Sequence, residues 1–107
     1  MNDLKEYIGI FNNLEEAFII FNEDLEVISI NKPSRDIFNI TPKEKIKNLK
    51  EIFDHSILNK IKKSSSLFTN KEKNNYNIKT TRYNINFKSL NIKIDNNLYD
   101  LSIIKDN

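Results

Sequence analysis

The chain has 107 residues, of which 38% are hydrophobic, so it can form one domain with one hydrophobic core. It contains no cysteine, which excludes a disulfide scaffold, a thiolate metal site and a cysteine nucleophile. The net charge is only +2, and the 15 lysines far outnumber the two arginines and alternate with acidic residues. They predict a solvated surface rather than a nucleic-acid site, which would favour arginine.

Residues 3–15 are predicted to form a helix that precedes the main domain. Its apolar positions follow helical spacing and form one stripe, consisting of Leu4, Tyr7, Ile8, Phe11 and Leu14. Asp3 and Glu6 have the spacing of a capping box at its start. The stripe suits packing on the chain's own sheet and pairing with a second copy equally well, and the sequence leaves both open.

Two short strands are predicted next. Residues 17–21 are a continuous apolar run, and residues 27–31 alternate between apolar and polar side chains. The residues Asn22, Glu23 and Asp24 between them favour a tight turn. Asn31 is predicted to cap a following helix through its side-chain oxygen, and Pro33 suits the first turn of that helix.

The middle of the chain is predicted to contain two more helices. The first begins at Thr41-Pro42-x-Glu44, a typical helix start, with Ile46, Leu49, Ile52 and Phe53 as its apolar face. A break near Asp54 separates it from the second helix, whose apolar residues are Ile57, Leu58 and Ile61. Lys62 and Lys63 suit the carboxyl end of that helix, and residues 64–66, all serine, indicate a loop.

The last third is predicted to be three strands. Apolar residues alternate with polar ones from Tyr76 to Ile94, but the parity changes between Phe87 and Leu90, which predicts a bulge or turn near Lys88. The boundary between the first two of these strands stays open. Residues 95–97 (Asp-Asn-Asn) predict a hairpin turn, and residues 98–105 a closing strand.

Strand, acidic turn, strand, asparagine and helix, in that order over residues 14–40, resemble the opening of a PAS domain. Asp24 and Asn31 stand where that family often has Asp and Asn, whereas Leu25 stands where Gly is common. Residues 41–44 and 103–106 also resemble a helix start and the closing strand of such domains. The resemblance implies an α+β fold of order ββαααβββ: a five-stranded antiparallel sheet with helices on one face. Residues 1–15 would be a flanking helix and residues 16–107 the PAS-like domain.

The resemblance implies a cytoplasmic, non-catalytic sensory domain of a bacterial signalling protein, such as a histidine kinase or a transcriptional regulator. It would sense a small ligand or a partner and relay the signal to an effector domain that follows it. Homodimerisation would use the stripe of residues 3–15. The alternative is a PAS-like module that binds nothing small and serves only for protein interaction and dimerisation. No signal peptide and no membrane-spanning run is visible in the sequence.

A ligand pocket in such a fold would lie between the sheet and the helices. Candidate lining residues are Ser29, Phe53, Ile57 and Tyr83, although the same residues could simply fill the core. The absence of cysteine excludes a flavin–cysteinyl adduct. His55 resembles the histidine of heme-binding members in its context, but one histidine without a well-placed arginine is weak support for heme. The cofactor therefore stays unknown.

Catalysis and nucleic-acid binding are both disfavoured. With one glycine the chain cannot form a glycine-rich phosphate loop, and it has no metalloprotease motif. Base stacking on the sheet would need exposed aromatic side chains, and Tyr83, Phe87 and Tyr99 are the candidates. We predict that all three face the helices instead.

Overall fold

The computed structural model describes residues 5, 6, 8, 9 and 15–107. Five strands form one antiparallel sheet in the order β2-β1-β5-β4-β3, which confirms the predicted α+β fold. The elements of residues 15–107 are β1 (Ala17–Phe21), β2 (Val27–Ile30), α1 (Lys32–Ile37), a 3-10 helix (Leu49–Glu51), α2 (His55–Ser64), α3 (Ser66–Thr69), β3 (Lys73–Lys79), β4 (Asn84–Ile94) and β5 (Asn97–Asp106). No helix in this described part is long and apolar enough to cross a membrane.

The turn between β1 and β2 is closed by Asn22, and it places a leucine in a left-handed conformation. The Asn22 side-chain oxygen accepts hydrogen bonds from the backbone N–H groups of Asp24 and Glu26, both at 3.0 Å. Leu25 has φ 63°, a value that favours glycine, and yet its side chain is buried in the main core. The turn is therefore built without the glycine that is common there, and burial of Leu25 offsets the backbone strain.

Asn31 caps α1, as predicted, and also ties the helix to β1. Its side-chain oxygen accepts from the backbone N–H of Ser34 at 3.3 Å and from that of Phe18 at 3.0 Å. Its amide nitrogen donates to the carbonyl of Glu16 at 2.7 Å. Pro33 lies in the first turn of α1, where its missing N–H costs no hydrogen bond.

The helix predicted to begin at Thr41 is wrong, because residues 41–48 form a turn and an extended segment. Glu44 does bond back to the backbone N–H of Thr41, at 3.2 Å. However, the guanidinium group of Arg35 donates hydrogen bonds to the carbonyls of Thr41 and Glu44. The carbonyl of Lys47 accepts from the N–H of Val27 at 2.9 Å. These tertiary bonds outweigh the local helix signal, which leaves only the 3-10 helix, capped by Asn48.

β4 is continuous, so the bulge or turn predicted near Lys88 is wrong. Its pairing with β5 runs in uninterrupted register from Ile85 to Ile94. The parity of the apolar residues changes because the apolar side chains lie on one face of the strand in its first half and on the other face in its second half. Phe87 faces the helices, but two residues later that face carries the buried Ser89, and the apolar residue there, Leu90, lies on the other face.

The sheet has an inner face under the helices and an outer face. The main core lies between the inner face and the helices. A second group of buried side chains, here called the outer cluster, lies on the outer face and consists of Phe18, Ile20 and Leu101. Ile8, which is helical, packs against the outer cluster. The other predicted stripe residues, Leu4, Tyr7, Phe11 and Leu14, lie outside the described residues.

Candidate functional site

Three of the predicted pocket residues meet on the inner face. Phe53 and Ile57 are buried, and Tyr83 packs against the same core from the start of β4. The ring of Phe53 meets that of Phe38 edge to face, with centroids 5.1 Å apart, and that of Tyr83 at 6.4 Å. These side chains pack against one another directly, so they fill the core where they meet.

The fourth predicted lining residue, Ser29, and His55, the candidate residue for a cofactor in the pocket, lie elsewhere. Ser29 pairs with Ile20 across the β1–β2 ladder, and opposite residues share a face, so Ser29 belongs to the outer face. His55 is exposed in the first turn of α2, where Asp54 caps the helix by accepting from the N–H of Ile57. The structure does not bring either residue together with Phe53, Ile57 and Tyr83.

Five rings, here called the aromatic cluster, fill one half of the inner face. Tyr76 stacks on Phe87 across the β3–β4 ladder, with centroids 5.1 Å apart and planes 13° from parallel. Phe87 in turn meets Phe53 at 6.3 Å. The members are Phe38, Phe53, Tyr76, Tyr83 and Phe87. Tyr83 and Phe87 therefore face the helices as predicted, whereas Tyr99 packs on the outer side, against the outer cluster.

A surface cleft of about 260 Å³ opens beside the aromatic cluster. It lies between the start of α2 and the turn that joins β3 to β4. Arg82 is stacked over the ring of Tyr83 at its rim, 5.4 Å from the centroid. The lining residues are Ile52, Asp54, Ile57, Thr80, Thr81, Arg82 and Tyr83. Two of them, Ile57 and Tyr83, are predicted pocket residues.

The other half of the inner face is polar, and the sequence analysis missed it. Asp100 on β5 is completely buried, and it is surrounded by serines that are also completely buried. Ser65 and Ser66 come from the junction of α2 and α3, Ser89 from β4 and Ser102 from β5. We call these five residues the Asp100 cluster. The serine triplet predicted to be a loop is thus the end of α2 and the start of α3, with two of its hydroxyls in the core.

The hydroxyl groups converge on the carboxylate of Asp100. Ser65 and Ser89 both donate to Oδ2, the latter at 2.6 Å, and Ser102 donates to Oδ1 at 2.5 Å. Because Ser89 donates to Asp100, its oxygen is free to accept from the N–H of Ser66 at 2.9 Å and from the Ser66 hydroxyl at 2.7 Å. The cluster therefore fastens the α2–α3 junction to the two strands beneath it.

Burial dominates the electrostatics of the cluster. Desolvation raises the pKa of Asp100 above its ordinary value near 3.8, while the hydrogen bonds from Ser102, Ser65 and Ser89 lower it by a smaller amount. Burial also raises the pKa of Tyr76, and the nearby Asp100 carboxylate adds to that effect. Both shifts have the same origin, since each group would have to carry a negative charge where water is excluded.

Two buried polar atoms beside the cluster have no hydrogen-bond partner among the described residues. One is the hydroxyl oxygen of Tyr76, and the other is the side-chain oxygen of Asn91, which lies opposite Asp100 on β4. Ser102 lies close enough to Tyr76 to lower its pKa slightly, but their geometry falls short of a hydrogen bond. The parity change in β4 and the serine triplet were the sequence signals of this polar region.

Within the described part of the chain, no three histidine, cysteine or carboxylate side chains are grouped so as to hold a metal ion. The chemistry that the inner face offers is therefore packing and hydrogen bonding around one buried acid.

The architecture matches solved PAS domains. A PAS domain from Desulfitobacterium hafniense superposes with a TM-score of 0.64 at 19% identity, over 92% of this chain and 99% of that one. That of an HTR-like protein from Haloarcula marismortui gives 0.65 at 12% identity, over 96% and 90%. The chain has the PAS fold. The PAS domain of nitrogen regulation protein NR(II) from Vibrio parahaemolyticus covers 99% and 100%, with a TM-score of 0.51 and 14% identity.

The PAS resemblance seen in the sequence is thus confirmed for the fold. No family model and no curated protein sequence matches the chain. In this PAS fold, the space between sheet and helices holds the aromatic cluster under α1 and the start of α2, and the Asp100 cluster under the α2–α3 junction.

Proposed function

We propose that this PAS domain is a non-catalytic sensory module that responds to a protein partner and relays the resulting change in packing to an effector segment of a signalling protein. The filled inner face is the observation that supports this proposal. Rings occupy the predicted pocket, and hydroxyls surround the only carboxylate buried beside it in the described residues. A core filled in this way responds more readily to contacts at its surface than to a molecule inside it.

The outer face of the sheet is the surface that we assign to the partner, and the partner is a second copy of this chain. Ile92, Tyr99 and Ile103 are half-buried there and continue the outer cluster. Ile8 already packs on this face. A contiguous apolar surface of this kind is typical of an interface.

Native mass spectrometry of the purified domain tests both parts of the proposal. We expect a dimer of the 12.7 kDa chain with no additional mass. The variant Ile92→Lys should be a folded monomer, because it places a charge in the apolar interface. Lys93→Ala is the matched control: it changes the exposed neighbour on the opposite side of β4 and should leave the dimer intact.

Two results would contradict the proposal. A wild-type monomer, or a dimer that survives Ile92→Lys, would exclude the outer face as the interface. A bound mass that disappears on denaturation would show a ligand receptor instead of a partner-responsive module.

A small-molecule receptor is the second candidate function. The cleft beside Tyr83 supports it, because it opens onto the aromatic cluster and combines apolar residues with Asp54 and Arg82. Its volume of about 260 Å³ is slightly below the usual range for ligand sites, so a small movement of the β3–β4 turn would be needed.

The effector and the compartment are parts of the proposal that rest on the PAS resemblance. We place the module in the cytoplasm and an effector beyond β5. β5 suits transmission because it pairs with both β1 and β4 and carries Asp100, so a change on either face of the sheet reaches it.

A further inference from the structure

The Asp100 cluster contains a buried acid with no cation to balance its charge among the described residues that face it. The groups around it are hydroxyl, amide and aromatic. The α2–α3 junction contributes Ser65 and Ser66, and β4 contributes Ser89 and Asn91. The other strands contribute one residue each: Tyr76 from β3, Ser102 from β5, and Phe21, which lies opposite Asp100, from β1. Tyr76 is the one titratable group among them.

The lysines nearest in sequence to these elements are turned towards solvent. Lys62 and Lys63 in the last turn of α2 are exposed, and so are Lys88 and Lys93 on β4. Burial and the three hydroxyl hydrogen bonds are the influences on the pKa of Asp100. An ionised Asp100 is therefore stabilised by hydroxyl dipoles alone.

The hydrogen bonds of the surrounding serines leave a place for the proton of a neutral Asp100. A protonated carboxyl group must donate one hydrogen bond, and the oxygens of Ser89 and Ser65 already accept from the backbone N–H groups of Ser66 and Leu67. The oxygen of Ser102 accepts no hydrogen bond from the described residues, so it can take the proton of Oδ1–H.

A neutral Asp100 thus finds an acceptor for its proton within the cluster, and the neutral state removes a buried charge. Its geometric setting matters as much as its charge, because Asp100 holds the α2–α3 junction through Ser65 directly and through Ser66 by way of Ser89. Ionisation therefore acts on the contact between helices and sheet.

We propose that Asp100 is a proton-linked latch: in its neutral form it holds the α2–α3 junction on the sheet, and loss of its proton loosens that junction. The signal read at this position would be the proton itself. This inference depends on the Asp100 cluster alone and stands whether or not the domain dimerises or binds a ligand.

The pH dependence has a definite sign. A carboxyl group whose pKa is higher in the folded than in the unfolded state makes the folded state the better proton binder. Its contribution to stability is complete below the unfolded value near 3.8 and is lost as pH rises through the folded pKa. Between the unfolded value and the folded pKa, the unfolding constant of the wild type should rise by up to tenfold per pH unit from this one group, and above the folded pKa it should level off.

Asp100→Asn is the variant that tests the latch, because its amide reproduces the neutral acid. The amide oxygen can accept from Ser65 and Ser89, and the amide nitrogen can donate to Ser102. We would measure urea unfolding of both proteins between about pH 5 and about pH 9 and compare their unfolding constants at each pH, so that the other titrating groups cancel. The wild type should lose stability relative to the variant as pH rises. If the ratio of the wild-type unfolding constant to that of Asp100→Asn stays constant or falls as pH rises, the proposal is overturned.

Asp106→Asn is the matched control. It makes the same substitution at the exposed end of β5, outside the cluster. The ratio of its unfolding constant to that of the wild type should not change with pH in the way expected for Asp100→Asn. If Asp100→Asn fails to fold, NMR titration of the Asp100 carboxyl carbon in the wild type decides alone. A midpoint at or below the ordinary value near 3.8 refutes the latch.

Amide hydrogen exchange tests where the loosening occurs. After correction for the intrinsic effect of pH on exchange, the amides of Ser66 and Leu67 should lose protection as pH rises in the wild type but not in Asp100→Asn. The amides of β1 serve as internal reference. Equal loss in β1 and at the α2–α3 junction would show global destabilisation and would contradict a local latch.

Discussion

Under α1 and the start of α2 the inner face of the sheet is packed with aromatic rings, whereas under the α2–α3 junction it carries a buried acid and four serines. Apart from Tyr83 at the edge of the aromatic cluster, both regions are buried, and they meet on β4, where Phe87 and Ser89 are only two residues apart. The rings interact through area and shape, which tolerate small shifts. The hydroxyls interact through directed hydrogen bonds, each of which has one satisfactory geometry.

This difference assigns different roles to the two halves. The aromatic half supplies most of the stability, because the hydrophobic effect scales with the apolar area removed from water. The Asp100 half contributes less net free energy but fixes where the helices sit, since a shifted serine leaves a buried group without a partner. Tyr76 joins the two, with its ring stacked on Phe87 and its hydroxyl beside Ser102.

The largest effect is expected from Phe87→Ala in the aromatic half. Phe87 is 1% exposed and contacts the rings of Tyr76 and Phe53, so its loss leaves a cavity. We expect the free energy of unfolding to fall by about 3 to 5 kcal/mol, measured by urea unfolding. Leu98→Ala, at an exposed position, is the control and should change stability by less than about 0.5 kcal/mol. A loss below about 1 kcal/mol for Phe87→Ala would show that this half does not carry the stability.

A smaller and graded effect is expected in the Asp100 half. Ser89→Ala removes one donated and two accepted hydrogen bonds and leaves the buried N–H of Ser66 without a partner, so it should cost about 2 to 3 kcal/mol. Ser102→Ala removes one bond and should cost about 1 kcal/mol. Equal losses in chemical denaturation would mean that volume, rather than hydrogen-bond count, determines stability here.

The smallest effects separate backbone strain from burial at two left-handed residues. Leu25 and Asn96 have similar φ angles, 63° and 68°, but Leu25 is buried and Asn96 is exposed in the β4–β5 turn. Leu25→Gly relieves strain but loses its buried side chain, so we expect a net loss of about 1 to 2 kcal/mol. Asn96→Gly relieves strain alone and should stabilise by a few tenths of a kcal/mol. Thermal unfolding that ranks the two variants in the opposite order would refute this interpretation.

Local signals predicted the parts of the fold that depend on neighbours in sequence. The run at residues 17–21, the cap at Asn31 and the turn at residues 95–97 were all found, because each is decided by residues a few positions apart. The ligand pocket itself stays a prediction. Phe53, Ile57 and Tyr83 do meet, whereas Ser29 and His55 lie apart from them, since face and exposure depend on strand pairing and helix orientation.

The sequence by itself determined the order of the strands along the chain and the α+β class, because periodicity and turn chemistry are local properties. Tertiary structure decided the rest. The hydrogen bonds of Arg35 and the pairing of Lys47 with Val27 hold the chain in another conformation where the sequence predicted a helix at Thr41. The meeting of residues 65, 89 and 100 around one carboxylate joins segments far apart in the chain, and no short-range pattern encodes that encounter. Its energy comes from excluding water around groups that find one another only once the sheet and helices have packed.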